Sequence, residues 1–250
     1  MENDLILEEI IKQNKHWIKN SSWFDVKKYQ RKLLFELIGY LKEEQILSII
    51  GLRRTGKTTI LKQIINYLIN NKNINPENIL FLSFDEALIT SKLSLNKYLD
   101  AFLDKAKNNK LKYIFLDEIQ YIDKWQHILK RYYDTRGNIK FIISGSSSLF
   151  VQKKTTESLA GRIYEFKLNH LGFDEFLEMS GAKKSLIAEY KKFAISNLNE
   201  IKYSKDKYQW FLAQNGKELE KLFEDYLLHY QFPETIYKND PLFLIIKYFI

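Results

Sequence analysis

The chain of 250 residues contains no cysteine, only three prolines and no long uninterrupted hydrophobic run. Without cysteine it has no disulfide, no thiol nucleophile and no thiolate metal site. Its apolar runs stay well below the ~20 residues of a membrane span, and even Leu242–Ile250 contains Lys247. The acidic start, Met1–Ile10, lacks the basic and apolar regions of a signal peptide. We therefore expect no membrane association and a cytoplasmic location.

Charge of neither sign dominates the chain. Lysine and arginine number 39 against 31 acidic residues, a net charge of +8 that is spread out without a polybasic block. This balance permits DNA or another acidic partner but does not indicate one, and a solvated basic surface is the favoured interpretation. The hydrophobic content of 45% indicates a globular protein with a real core.

The most informative segment is Gly51–Thr59, Gly-Leu-Arg-Arg-Thr-Gly-Lys-Thr-Thr, which matches the phosphate-loop pattern G-x-x-x-x-G-K-[ST]. The apolar run Ile46–Ile50 precedes it, and Ile60–Ile69 follows with apolar residues at helical spacing. Strand, loop and helix in this order are typical of a nucleotide-binding site. An ordinary glycine turn that opens a helix is the weaker alternative.

Each residue type in this segment suits the binding of phosphate. Glycines let the backbone N–H groups and the helix N-terminus approach the negative charge. Lys57 would reach the β- and γ-phosphates, and the Thr58 hydroxyl would ligate Mg²⁺. Arg53 and Arg54 are candidate phosphate contacts, although solvent exposure is an equal alternative. The predicted nucleotide-binding residues are Gly51, Arg53, Arg54, Thr55, Gly56, Lys57, Thr58 and Thr59.

Apolar runs alternate with helical patterns along the chain, which predicts an α/β fold. We expect a five-stranded parallel P-loop NTPase sheet with flanking helices and a small helical lid. The predicted strands are 45–50, 79–83, 111–116, 139–144 and 163–168, and the predicted helices are 29–41, 57–68, 95–106, 124–133, 173–179, 186–198 and 219–230.

The same pattern suggests three parts. Residues 1–44 form a helical segment that packs on the core, residues 45–170 form the ATPase core, and residues 171–250 form the lid. Because the chain stops on the apolar tail Ile245–Ile250, either the last helix packs on the lid or a further C-terminal domain begins there.

A metal anchor and a water-activating group are predicted at the end of the strand Tyr113–Leu116. Asp117 can hold the Mg²⁺ shell and Glu118 can activate water, because ligands bind at the carboxyl ends of parallel strands. The alternative is an acidic pair that caps the next helix. Asp85 and Glu86, after the second strand, resemble a helix start with a small chance of metal contact.

Two further candidates follow later in the chain. Ser144 or Ser146, on either side of Gly145 at the end of the predicted strand, can hydrogen-bond the γ-phosphate or the attacking water, although a plain serine-glycine turn is an equal alternative. Arg162 can stabilise charge during phosphoryl transfer, in its own chain or across a subunit interface, and its alternative is a surface arginine.

The base is expected to be adenine, by exclusion. Asn96–Asp100 is one residue too long for the N-K-x-D guanine motif, and it precedes the acidic strand where that motif should follow it. Asp117 is also followed by Glu-Ile-Gln rather than by the D-x-x-G of a GTPase switch.

These motifs together resemble the prokaryotic AAA-type ATPases related to the archaeal ATPases, in which a C-terminal domain of unknown function usually follows. The matching segments are 51–59, 115–120 with Trp125, 142–148, 158–163, 171–177 and 232–234. The resemblance implies an AAA-type core that binds ATP and Mg²⁺, with Asp117 and Glu118 as the acidic pair. It also implies a sensor near Ser144 and an arginine at the arginine-finger position, Arg162, through which a homo-oligomer is possible. Gln120 matches the family pattern without an evident role.

The predicted function is Mg²⁺-dependent ATP hydrolysis that drives or gates a conformational switch for an unknown protein partner. A P-loop kinase with a small acceptor remains open, because Asp85, Glu86 and Glu118 can hold a hydroxyl group. A nucleotide-gated switch or scaffold that scarcely turns over ATP also remains open.

Overall fold

The computed structural model describes residues 2–18, 29–85, 94–106, 108–146, 159–195, 205–229 and 232–236. The chain divides into two compact units, Met1–Leu168 and Asn169–Ile250. The strands are β1 (Ile46–Gly51), β2 (Ile79–Ser83), β3 (Lys112–Asp117), β4 (Ile139–Gly145) and β5 (Ile163–Leu168). The helices of the first unit are α1 (Glu2–Gln13), α2 (Lys32–Gly39), α3 (Lys57–Asn70), α4 (Leu95–Lys105) and α5 (Trp125–Thr135).

The five strands form one parallel sheet in the order β2-β3-β4-β1-β5. This confirms the predicted sheet, and β2 and β5 have the predicted bounds. The sheet has one hydrophobic core on each face, and alternate residues of β3 point into different cores. Ile114 and Leu116 pack with α1, α4 and α5, whereas Tyr113 and Phe115 pack with α2 and α3. Parallel strands with both faces covered read as continuous apolar runs, and this is why the strands were visible in the sequence.

The open side of β2 is covered by side chains at the C-terminal end of α1. Asn14 is fully buried; its Nδ2 donates to the carbonyl of Phe81 at 2.8 Å and its Oδ1 accepts from the N–H of Phe81 at 2.7 Å. Gln13 Oε1 accepts from the N–H of Ser83 at 2.8 Å. The amide of Asn14 therefore pairs with the strand as a neighbouring backbone would, and satisfies groups that an edge strand otherwise leaves unpaired.

The predicted helix at 29–41 is shorter in the structure. Arg31 has an extended backbone, with φ −64° and ψ 148°, and α2 begins at Lys32. The turn Tyr40–Lys42 that follows α2 is a 3-10 helix. Buried Lys140, in β4, connects to this turn because its ammonium donates to the carbonyls of Tyr40 at 3.2 Å and Glu43 at 2.6 Å.

The described part of the second unit is helical. Its helices are α6 (Phe173–Met179), α7 (Lys184–Ile195), α8 (Lys205–His229) and α9 (Pro233–Ile236). Phe173 lies at the centre of an aromatic cluster, with ring centroids 5.4 Å from Tyr190, 5.1 Å from Phe223 and 5.5 Å from Tyr226. The predicted bounds of α6 are confirmed. The predicted boundaries of the three domains, and a role as a lid, stay predictions.

Helix α8 begins at Lys205, fourteen residues before the predicted start at Leu219. Asn215 and Gly216 interrupt the helical pattern in this stretch, because both residue types have low helix propensity. In the structure the Asn215 amide donates to the carbonyl of Phe211 at 3.2 Å, one turn back along the helix. The polar side chain is thereby accommodated within the helix.

Candidate functional site

The phosphate loop connects the end of β1 to the start of α3. Gly56, directly before α3, has a φ of 101°, and Arg54 has a φ of 67°. Gly51 lies so close to the end of β5 that a Cβ atom would stand 2.4 Å from the carbonyl oxygen of Leu168. The first glycine of the motif thus permits a close backbone approach, and the second permits a left-handed turn. Together they aim the N-terminus of a 14-residue helix at the loop.

Two side chains donate hydrogen bonds to backbone carbonyls of the loop: Thr55 belongs to the loop itself, and Arg31 precedes it in the chain. Thr55 is fully buried and its hydroxyl donates to the carbonyl of Leu52 at 2.8 Å. Arg31 donates from Nη1 to the carbonyl of Thr55 at 3.0 Å. Arg31 was missed as a site residue because nothing in the local sequence connects it with a loop more than 20 residues away. Its extended backbone, which delays the start of α2, carries the guanidinium group to the loop.

Lys57 is the first residue of α3 and is 3% exposed. Its ammonium donates to the carbonyls of Gly51 at 3.2 Å and Leu52 at 3.1 Å, and lies 3.4 Å from Glu118 Oε1. The positive charge that would meet a phosphate is therefore paired with a carboxylate and with the carbonyls of its own loop.

Asp117 connects three elements at the carboxyl ends of the strands. Thr58 Oγ1 donates to Asp117 Oδ2 at 2.7 Å, and Ser144 Oγ donates to Asp117 Oδ1. Burial raises the pKa of Asp117, while the hydrogen bonds from Ser144 and Thr58 act in the opposite direction. As predicted, the ends of β3 and β4 and the start of α3 lie together, because parallel strands present their carboxyl ends at one edge.

The donor set suits Mg²⁺, which prefers hard oxygen ligands and keeps several waters. Thr58 and Asp117 supply a hydroxyl and a carboxylate oxygen in contact with each other. Within the described residues there is no group of three or more His, Asp or Glu side chains that would form an all-protein cage. A site with one carboxylate, one hydroxyl, phosphate oxygens and water is the usual arrangement for a nucleotide-bound magnesium ion.

Glu118 has a left-handed backbone, with φ 54°, which is uncommon for a residue other than glycine. Its N–H donates to Ser144 Oγ at 3.2 Å. Gln120 Nε2 donates to Glu118 Oε2 at 2.5 Å, and the N–H of Ser146 donates to Gln120 Oε1 at 3.4 Å. The carboxylate of Glu118 is therefore bound through both oxygens, by Lys57 and by Gln120.

Arg162 does not join these residues. Its carbonyl accepts from the N–H of Ile46, so it lies at the amino ends of β1 and β5, whereas the phosphate loop lies at the carboxyl end of β1. The six residues of β1 separate these two ends by a distance of roughly 20 Å. Its Nε donates to Asp134 at 2.8 Å, and its side chain is 33% exposed. This geometry gives no support to a role in its own chain's site, and a role across a subunit interface stays a prediction.

For the remaining predicted site residues, the structure gives the degree of burial. Arg53 is exposed and Arg54 half-buried in the loop, and Thr59 is half-buried in the first turn of α3. Asp85 is half-buried after β2. Glu86, Ser147, Ser148 and the tail after residue 236 lie outside the described residues.

Two known proteins are similar in sequence to a large part of this chain. An uncharacterized protein of Methanocaldococcus jannaschii is 33% identical over 205 residues, 80% of this chain and 42% of that protein. An uncharacterized protein of Haemophilus influenzae is 29% identical over 167 residues, 64% of this chain and 41% of that protein. The chain thus spans about two fifths of the length of these relatives.

Among solved structures, a Walker-type ATPase of Pyrococcus abyssi is 16% identical with a TM-score of 0.44, covering 82% of this chain and 64% of that one. A TM-score this low carries no argument about function. Of the helices that the structure describes, none is long and apolar enough to cross a membrane. A family model described as an AAA domain matches residues 43–177. Because this match covers more than half of the 250 residues, the chain belongs to the AAA domain family.

Proposed function

We propose that the protein is an ATPase that binds ATP with Mg²⁺ and hydrolyses it. The observation that supports this most lies at the carboxyl ends of the strands, where Thr58 contacts Asp117 and, beside them, Lys57 contacts Glu118. A phosphate loop alone supports binding, but hydrolysis also needs a metal anchor and a group that orients water. We assign phosphate binding to Lys57, the metal anchor to Thr58 and Asp117, and the orientation of water to Glu118.

Binding begins with the charges of the loop. The N–H groups at the start of α3 and the ammonium of Lys57 attract the β- and γ-phosphates. To reach them, Lys57 leaves the carboxylate of Glu118, which lies 3.4 Å from it in the structure. Thr58 and Asp117 would hold Mg²⁺, which would supply positive charge against the phosphate oxygens. Glu118, released from Lys57, is then free to accept a proton from the attacking water.

Two matched substitutions test the assignment. Glu118→Gln keeps the shape of the side chain but removes the base, so the variant should bind ATP and lose turnover. Lys57→Ala removes the ammonium and should weaken the binding of ATP itself. Calorimetry with ATP and Mg²⁺ gives the affinity, and phosphate release gives the rate. Full turnover in Glu118→Gln would contradict the catalytic role of that residue.

A homo-oligomer would give Arg162 a role in a neighbouring site. The residue lies far from the site of its own chain and ends in a partly exposed ion pair with Asp134. If it acts on the neighbour, the specific rate of hydrolysis should rise with protein concentration, and this rise should vanish in Arg162→Ala. A rate that is independent of concentration would favour a monomeric enzyme or a slow nucleotide-gated switch.

Partner and location remain sequence-based proposals. We infer that hydrolysis drives or gates a conformational change for a protein partner in the cytoplasm. Involvement of DNA has a direct test, since contacts with phosphate make binding strongly dependent on salt. Stimulation of the ATPase by DNA that falls steeply with salt would support such contacts, and equal rates with and without DNA would exclude them from the reaction.

A further inference from the structure

The carboxylate of Glu118 contacts two described side chains, and we expect nucleotide binding to break only one of these contacts. Lys57 lies 3.4 Å from Oε1, and Gln120 Nε2 donates to Oε2 at 2.5 Å. On the proposed function, Lys57 turns to the phosphates when ATP binds. Gln120 has no charge, so phosphate attracts its amide less strongly than it attracts the Lys57 ammonium. Among the described contacts of the Glu118 carboxylate, the one to Gln120 is therefore the contact that survives nucleotide binding.

Gln120 is itself fixed from the neighbouring strand. Its Oε1 accepts from the N–H of Ser146, directly after β4, while its Nε2 donates to Glu118. A side-chain amide donates from its nitrogen and accepts at its oxygen without adding charge. A lysine or arginine in its place would neutralise the carboxylate, and an acid would repel it. Glutamine thus suits the orientation of the Glu118 carboxylate, because it fixes the carboxylate without neutralising its charge.

The backbone of Glu118 shows why such a support is needed. A left-handed φ of 54° is a sparsely populated conformation that persists only where the surroundings determine it. The N–H of Glu118 reaches Ser144 Oγ, and the carboxylate reaches Ser146 through Gln120. Both ends of the residue are therefore tied to the end of β4.

We propose that Gln120 is a positioning residue that orients the Glu118 carboxylate toward the attacking water once Lys57 has turned to the nucleotide. This inference rests on the proposed function, and it adds a residue that acts only through Glu118. It predicts that Gln120 affects the rate of the reaction and not the binding of ATP.

The main test substitutes Gln120→Met, which keeps the length of the side chain and removes both hydrogen bonds. We expect kcat to fall about 10- to 100-fold, as for other partners that orient groups of an active site, with KM and the Kd for ATP within about twofold of the wild type. Gln214→Met, on an exposed position of α8, is the matched control and should leave all three constants unchanged.

A double variant separates positioning from structural damage. In Glu118→Gln/Gln120→Met, the second substitution should cause no further loss, because its only target has already been removed. A purely structural role would lower ATP affinity and kcat together, and would add its loss to that of Glu118→Gln. Either of these results would overturn the proposal.

A second variant guards against misfolding. Gln120→Glu keeps the size and the acceptor for Ser146 but replaces the donor with a like charge, so its kcat should fall at least as far. Wild-type kcat in either Gln120 variant, beside an inactive Glu118→Gln, would overturn the inference and leave the proposed function intact. Wild-type protein without ATPase activity would overturn the proposed function and this inference with it.

Discussion

The side chain of Asn14 offers the sharpest test of how the edge of the sheet is held. Asn14→Leu keeps the branched shape of the side chain but removes the donor and the acceptor that pair with Phe81. Asn14 is fully buried and Phe81 is 4% exposed, so water does not readily replace the lost bonds. Each buried backbone group left unpaired costs ~1–3 kcal/mol, and two groups together give ~2–6 kcal/mol.

Urea unfolding measures this cost. With an m value of roughly 2 kcal/mol/M, the midpoint should fall by at least ~1 M while m itself stays unchanged. Asn70→Leu is the control, because Asn70 is exposed at the end of α3 and bonds only Asn66 among its described contacts. That control should shift the free energy of unfolding by no more than ~0.5 kcal/mol.

Hydrogen exchange locates the effect at one amide. In the wild type the N–H of Phe81 donates to Asn14, and it should be among the protected amides of β2. In Asn14→Leu it should exchange faster than in the parent. An unchanged midpoint together with unchanged protection at Phe81 would refute the idea that this side chain closes the edge of the sheet.

Four further substitutions have definite expected outcomes. Gly51→Ala should lose both stability and ATP binding, because its Cβ would lie 2.4 Å from the Leu168 carbonyl oxygen, whereas Gly39→Ala, with nothing within 4 Å, should stabilise α2 by ~0.5–1 kcal/mol in the same unfolding assay. Burial lowers the pKa of Lys140 from 10.5 to about 8, although Glu43 raises it, so the unfolded chain binds more protons between these values. The wild type should therefore gain stability relative to Lys140→Met as pH rises through that window, and a constant difference would contradict the shift. Arg162→Ala should change the free energy of unfolding by less than ~1 kcal/mol, as expected for an exposed ion pair, while any concentration-dependent part of the ATPase rate disappears.

Local patterns were enough to predict the framework. The buried strands are continuous apolar runs, and the phosphate loop has a spacing that its geometry requires. Because parallel strands present their carboxyl ends together, the sequence alone placed Asp117, Ser144 and Thr58 at one edge, and the structure joins them by hydrogen bonds.

The contacts that sequence reasoning missed all connect distant parts of the chain. Nothing near Arg31 indicates that it reaches the carbonyl of Thr55, and nothing near Asn14 indicates that it pairs with β2. Gln120 was noticed only because it matched a family pattern, since its contact with Ser146 depends on the pairing of β3 and β4. Such roles follow from tertiary structure, which a periodicity argument does not contain.

The pairing of Lys57 with Glu118 has a consequence for measured affinities. Before any nucleotide arrives, the ammonium already has an internal counter-ion 3.4 Å away, so uptake of ATP exchanges one anion for another. The binding constant then reports the difference between two attractions. Removing the competing carboxylate should make Glu118→Gln hold ATP more tightly than its parent, for an electrostatic reason that is separate from its lost turnover.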